Sequence, residues 1–162
     1  MTRAGVVSVQ TLSLVVLAWL TAAGCGGDSG GDSPTGPEAM TIADLVGSWK
    51  ATSVIMTNQA NPSQKFDIVA AGGELRMTVL VGGGARTWLD LGDFSDEWDA
   101  QLTLSGNQLT STPVEASRPT QRHTITLVGS ELTATNSAAV FDFTLSGGTP
   151  VPATQVVVFR RN

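Results

Sequence analysis

The sequence predicts an all-β domain, an antiparallel up-and-down barrel of about eight or nine strands, set behind a removable leader and a linker. Three observations carry that expectation. From Glu74 onward apolar residues recur at every second position, the pattern of strands with one buried face. Short, glycine-bearing connections join the runs throughout, which suits a meander whose sequence neighbours are also sheet neighbours. An open meander of that many strands would also leave two exposed edges, and closing the sheet removes both. A β-sandwich is the alternative, disfavoured by the short connections. The chain has 162 residues, 41% hydrophobic and 14% charged, which fits one globular domain with an appended segment.

The elements follow in order. Residues 1–24 read as a targeting leader: Arg3 supplies the positive end, Val6 to Leu20 the apolar core, and Ala22-Ala23-Gly24 the small residues directly before Cys25. This arrangement resembles a bacterial lipobox, with Ala22 where leucine is commonest. The resemblance implies cleavage before Cys25 and lipid attachment to its thiol. The alternatives are an ordinary secretory signal cut nearby or a retained membrane helix, for which the apolar run is short. Several acyl chains, at about 0.8 kcal/mol per buried methylene, would hold the protein firmly to a membrane. Gly26 in place of aspartate points, by the same resemblance, to the outer membrane and a periplasm-facing position. Residues 25–39 then form a Gly/Ser/Pro-rich tether with nothing to bury.

The domain proper spans residues 40–162. Thr41 to Val46 is expected to make one short helical turn closing the barrel bottom. A first strand follows from Ser48 to Thr57, with Trp49, Ala51, Ser53 and Ile55 on one face. Asn58 to Lys65 is polar, holds Pro62, and reads as a loop. Phe66 to Ala71 fits either a short helix capped by Asp67 or a strand. Leu75, Met77, Val79 and Val81 then share a face. The chain reverses at Gly82-Gly83-Gly84 and returns with Leu89 and Leu91 inward. Ala100, Leu102 and Leu104 make the next inner row, Ser105-Gly106-Asn107 turns into Gln108 to Thr112, and Thr124 to Val128 turns at Gly129-Ser130 into Glu131 to Thr135. Val140 to Leu145 and Gln155 to Arg160 complete the set. Leu104 to Thr110 and Leu127 to Thr133 match in leucine, glycine, leucine and threonine, as successive hairpins of a meander would.

The start of the domain, Asp44-Leu45-Val46-Gly47-Ser48-Trp49-Lys50, resembles the Gly-x-Trp signature that opens the first strand of lipocalins and fatty-acid-binding barrels. The resemblance implies a calycin-type barrel in which Gly47 passes close beneath the floor, Trp49 plugs it, and a last-strand arginine, Arg160 or Arg161, packs across the indole. The nearest likeness is to bacterial lipocalin-like domains of lipoproteins. The second lipocalin signature, built on Thr-Asp-Tyr, has no counterpart, since the chain holds no tyrosine.

Composition narrows the function. A net charge of −5 with scattered Lys and Arg offers no footprint for nucleic acid, and one cysteine permits no intrachain disulfide. His123, the only histidine, shares a strand face with Ile125 and Leu127 and is expected to point inward. It would either ligate a metal or haem there or find an ordinary hydrogen-bond partner near the strand end. A lone imidazole favours the second, so no metal or cofactor is expected. Asp90, Asp93, Asp96, Glu97 and Asp99 crowd one connection without the spacing of a calcium loop and read as a solvated acidic loop at the barrel mouth. Trp88 is expected on the outer face and Trp98 beside that loop. No nucleophile–base constellation or phosphate-binding glycine pattern occurs, so enzymatic activity is not expected. Two functions fit: a carrier of a small hydrophobic ligand, with Leu75, Met77, Val79, Leu89, Leu102, His123, Ile125 and Phe141 as cavity candidates, or a filled barrel acting as a structural or assembly lipoprotein through protein contacts.

Overall fold

The computed structural model describes residues 39–145 and 147–162; the leader, Cys25 and the tether to residue 38 lie outside the described residues. A 3₁₀ turn over Ile42–Leu45 precedes nine strands: β1 (Gly47–Asn58), β2 (Lys65–Asp67), β3 (Glu74–Val79), β4 (Gly84–Asp90), β5 (Ser95–Ser105), β6 (Gln108–Pro113), β7 (Gln121–Val128), β8 (Glu131–Phe141) and β9 (Val151–Arg161). They pair antiparallel in the order β2-β1-β3-β4-β5-β6-β7-β8-β9, and β1 also pairs with β9. Eight strands therefore close into a barrel, with β2 as an extra strand.

The length of β1 makes this closure possible. One edge pairs with β3 over Gly47–Lys50 and with β2 over Ile55–Thr57. The other edge runs along β9 from Trp49 to Asn58. Strict alternation would have put Ser53 and Ile55 on the inner face with Trp49 and Ala51. Instead Ala51 pairs with Phe159 and Ser53 with Val158, leaving Thr52 as an extra residue. This bulge shifts the parity, and Val54 and Met56 become the buried residues.

Two further expectations are corrected, and one open alternative is resolved. Val81 and Leu91 are exposed, because β3 stops at Val79 and β4 at Asp90. Val140 does not begin a separate strand: it and Phe141 end β8, past a register shift between Asn136 and Ala139. The ambiguous stretch after Phe66 is a strand end followed by a turn. There the Asp67 carboxylate accepts the Val69 and Ala70 N–H groups at 2.9 and 3.2 Å and the Ser53 hydroxyl at 3.0 Å, pinning the turn to β1.

The two barrel ends differ. One carries the 3₁₀ turn and the tight β3–β4, β5–β6 and β7–β8 turns. Gly106 and Gly129 each take φ 59° at the first central position of a two-residue loop, the type II′ pattern behind the matching hairpin sequences. The other end carries the connections 59–64, 91–94, 114–120 and 142–150, all but the second longer than any turn at the first end. The core is densest toward the tight end, where Leu45, Trp49, Val79 and Leu132 are at most 1% exposed. Burying each such side chain contributes about 1.5–3 kcal/mol.

Candidate functional site

The floor is built around one indole. Trp49 is fully buried, and its Nε1–H donates to the Leu45 carbonyl at 2.8 Å, tying the strand to the 3₁₀ turn beneath it. That turn is itself fixed by the Asp44 carboxylate, which accepts the Thr41 N–H at 2.7 Å and its hydroxyl at 2.9 Å. Arg161, paired with Trp49 in the β1–β9 register, lies with its guanidinium carbon 4.6 Å from the ring centroid and also donates to the Asp44 carbonyl. Arg160 turns outward to Glu131 at 3.6 Å. Gly47 is needed for a different reason from the one expected. A Cβ there would meet nothing nearer than Arg161 Cδ at 4.0 Å, but the backbone sits at φ +135°, a conformation that favours glycine.

Above this floor the barrel holds a cavity of about 340 Å³. Its wall has two characters. Val54, Leu75, Met77, Leu132, Ala134, Val157 and Phe159 make an apolar side from β1, β3, β8 and β9, joined by Leu89, Leu102 and Leu109. Asp96, Trp98, Ser111, Gln121 and His123 line the side formed by β5 to β7, with Arg118 and Pro119 from the 114–120 connection and Gln155 from β9. Cross-strand register explains the grouping, since Ser111 pairs with Gln121 and Leu109 with His123.

Among the residues expected to face a cavity, Leu75, Met77, Leu89, Leu102 and His123 line it. Val79 and Ile125 do not; each is 1% exposed within the packed core. Phe141 lies past the β8 irregularity, where it stacks on Phe66 at 5.6 Å and meets Phe143 edge-on at 5.0 Å. The acidic cluster is not a single solvated loop. Asp96 lies on β5 and faces inward, held by Arg118 through two hydrogen bonds of 2.9 and 2.6 Å. Glu97 and Asp99 point out of the same strand toward Arg86, at 3.1 and 2.9 Å. The bonds from Arg118 hold the Asp96 carboxyl below its usual range. Among the described residues no His/Cys/Asp/Glu group is placed to hold a metal ion.

Arg118 also lies over Trp98, 5.1 Å from its centroid, and bonds Glu115 at 3.2 Å, so one loop residue gathers the cavity rim. Asp96, Trp98, Arg118, Ser111, Gln121 and Gln155 were not singled out as cavity residues from the sequence. A signal did exist for two of them: the inner row Ala100, Leu102, Leu104, extended backward by twos, reaches Trp98 and Asp96. Trp88 faces outward beneath Arg76, 5.1 Å from its centroid.

His123 is set apart by what it lacks. Its Nδ1 is the one buried side-chain nitrogen or oxygen without a hydrogen-bond partner among the described residues. Burial pushes its pKa below the ordinary histidine value. A second depression, about 650 Å³ between the upper parts of β7 and β8, shares Pro119, Gln121 and Gln155 with the cavity. There β7 and β8 pair only from Thr124 and Thr135 downward. Compared with known protein families, curated proteins and solved structures, the chain gives no match.

Proposed function

We propose that this protein is a non-catalytic carrier that holds one small, mainly apolar molecule inside its barrel. The observation that supports this most directly is the 340 Å³ cavity with a continuous apolar side above a sealed floor. Its size falls at the lower end of the roughly 300–1,000 Å³ range of ligand pockets. Eight strands give a barrel just wide enough to hold one such molecule. The Gly-x-Trp start and the arginine across the indole support kinship with lipocalin-like barrels. The lipobox-like leader supports a protein anchored through lipid on Cys25, in the outer membrane and facing the periplasm.

Native mass spectrometry of the purified protein tests the carrier reading. A co-purifying or added apolar molecule bound in a 1:1 ratio supports it; a ligand-free mass with no binding of apolar probes removes it. For the anchor, Cys25→Ala is expected to move the protein from the membrane fraction to the soluble one. Retention of the variant in the membrane would overturn lipidation at that residue.

A further inference from the structure

The β3–β4 turn is unlike the other tight turns at the floor. Their tips are Gly106-Asn107 and Gly129-Ser130, small and polar residues of the kind turns ordinarily use. At the β3–β4 tip stand Leu80 and Val81, 58% and 89% exposed. Hydrogen bonds fix the backbone that carries them. Gly83 N–H donates to the Leu80 carbonyl at 3.0 Å, and Leu102 N–H to the Gly83 carbonyl at 2.8 Å. Gln101 Nε2 donates to the Gly82 carbonyl at 2.8 Å. Val81 also borders the 3₁₀ turn, sharing a shallow depression with Ile42, Ala43 and Val46. A turn pinned to β5 thus presents a small apolar patch outward.

We propose that this patch rests on the lipid surface that anchors the protein, with the floor against the membrane and the mouth turned away. The inference rests on the anchor reading above, with lipid on Cys25. The described chain starts at Ala39, which lies with Met40 and Leu127 at the floor end. Thirteen residues separate Cys25 from Ala39, a reach of at most about 45 Å. Linkage that short raises the effective concentration of the patch at the surface to the order of millimolar. A few apolar side chains, too few to hold a free protein on a bilayer, then suffice to set its orientation. Charge favours the same end. At the floor Asp44 and Glu131 offset Arg161 and Arg160. The exposed apolar residues of the mouth instead adjoin acids: Leu91 and Phe94 follow Asp90 and Asp93, and Val114 precedes Glu115. Anionic lipid repels a surface of that second kind.

The test uses the full acylated protein, reconstituted through its anchor into vesicles of phosphatidylethanolamine and phosphatidylglycerol. With lipid on the Cys25 sulfur, Val81→Cys and Val114→Cys each supply one free thiol for the same polarity-sensitive fluorophore. The two sites are 89% and 75% exposed and lie at opposite ends, so each controls for insertion driven by the label. The label at position 81 is expected to shift to the blue on reconstitution. It is also expected to lose about half its emission to a nitroxide near the head of the acyl chain, as a group roughly 5–10 Å into the interface would. The label at position 114 is expected to keep its aqueous emission. Leu80→Gln, added to the Val81→Cys protein, is expected to cut the quenching by about half or more. Aqueous emission at position 81, or equal quenching at both positions, overturns the proposal. Quenching that Leu80→Gln leaves unchanged assigns the approach to the tether alone and overturns the role of the patch. A mass spectrum without acyl chains on Cys25 removes the anchor reading itself, and the inference falls with it.

Discussion

The floor and the mouth of the barrel are made from the same strands but by opposite means. At the floor, tight turns bring Leu45, Trp49 and Leu132 to full burial, and a single cation stacks on the plug. At the mouth, the ion pairs of Arg118 with Asp96 and Glu115 stand beside a half-buried aromatic cluster of Phe66, Phe141 and Phe143. The largest fully buried side chain thus lies at the end where nothing needs to enter, and the Arg118 ion pairs at the end where something could. The difference teaches that a closed sheet need not be equally firm along its axis, because strand pairing fixes the wall while side chains and loops fix each end.

The contrast can be broken most severely at the plug. Trp49→Ala removes the largest fully buried side chain and the donor to Leu45, and is expected to cost about 3–5 kcal/mol in chemical denaturation. Trp98→Ala at the rim is expected to cost only about 1 kcal/mol while weakening the binding of an apolar probe severalfold. If both cost the same, the floor holds no privileged share of the stability. Gly47→Ala comes next, at about 1–3 kcal/mol, because an alanine would be strained at φ +135° although space is free around it. A neutral result would show the strand start relaxing at no cost. Smaller again is Arg161→Ala, expected at about 1 kcal/mol from the lost stacking and hydrogen bond. Arg160→Ala, which breaks only an exposed ion pair, should cost about 0–1 kcal/mol. Reversal of that order would separate the stacked arginine from floor stability.

The smallest effect belongs to the mouth and is read against pH. The Arg118 hydrogen bonds lower the Asp96 pKa below its ordinary 3.8, so in acid the unfolded chain takes up this proton before the folded one does. Stability contributed by the pair is therefore complete above the ordinary value and is lost as pH falls through the lower folded value. Asp96→Asn is expected to lower the neutral plateau and flatten the acid limb of a denaturation series, so that variant and parent converge at low pH. An unchanged acid limb would show the pair to be energetically silent.

How far the sequence reveals this depends on whether a feature is local. The alternation from Glu74 and the two Gly-x hairpins are local, and they suffice for an all-β antiparallel barrel. The bulge at Thr52 leaves no local mark, since Ser53 and Ile55 alternate with Trp49 as well as Val54 and Met56 alternate with each other. Only the pairing with β9, far along the chain, decides between them. The same holds for Asp96. Its neighbours in sequence are acids, which suggests solvent, whereas its partner Arg118 lies on a distant connection. For His123, alternation suggests an inward side chain; the missing partner at Nδ1 emerges only when every surrounding strand is in place.

The seam between the first and last strands has a kinetic consequence. Neighbouring hairpins can zip as soon as their turns form, within microseconds, but β1 must wait for β9, the most distant strand in the chain, before ring closure. Until then both rims stay sticky, ready to pair with another molecule of the same kind. The final act of folding is therefore also the one that protects the newborn protein from its neighbours.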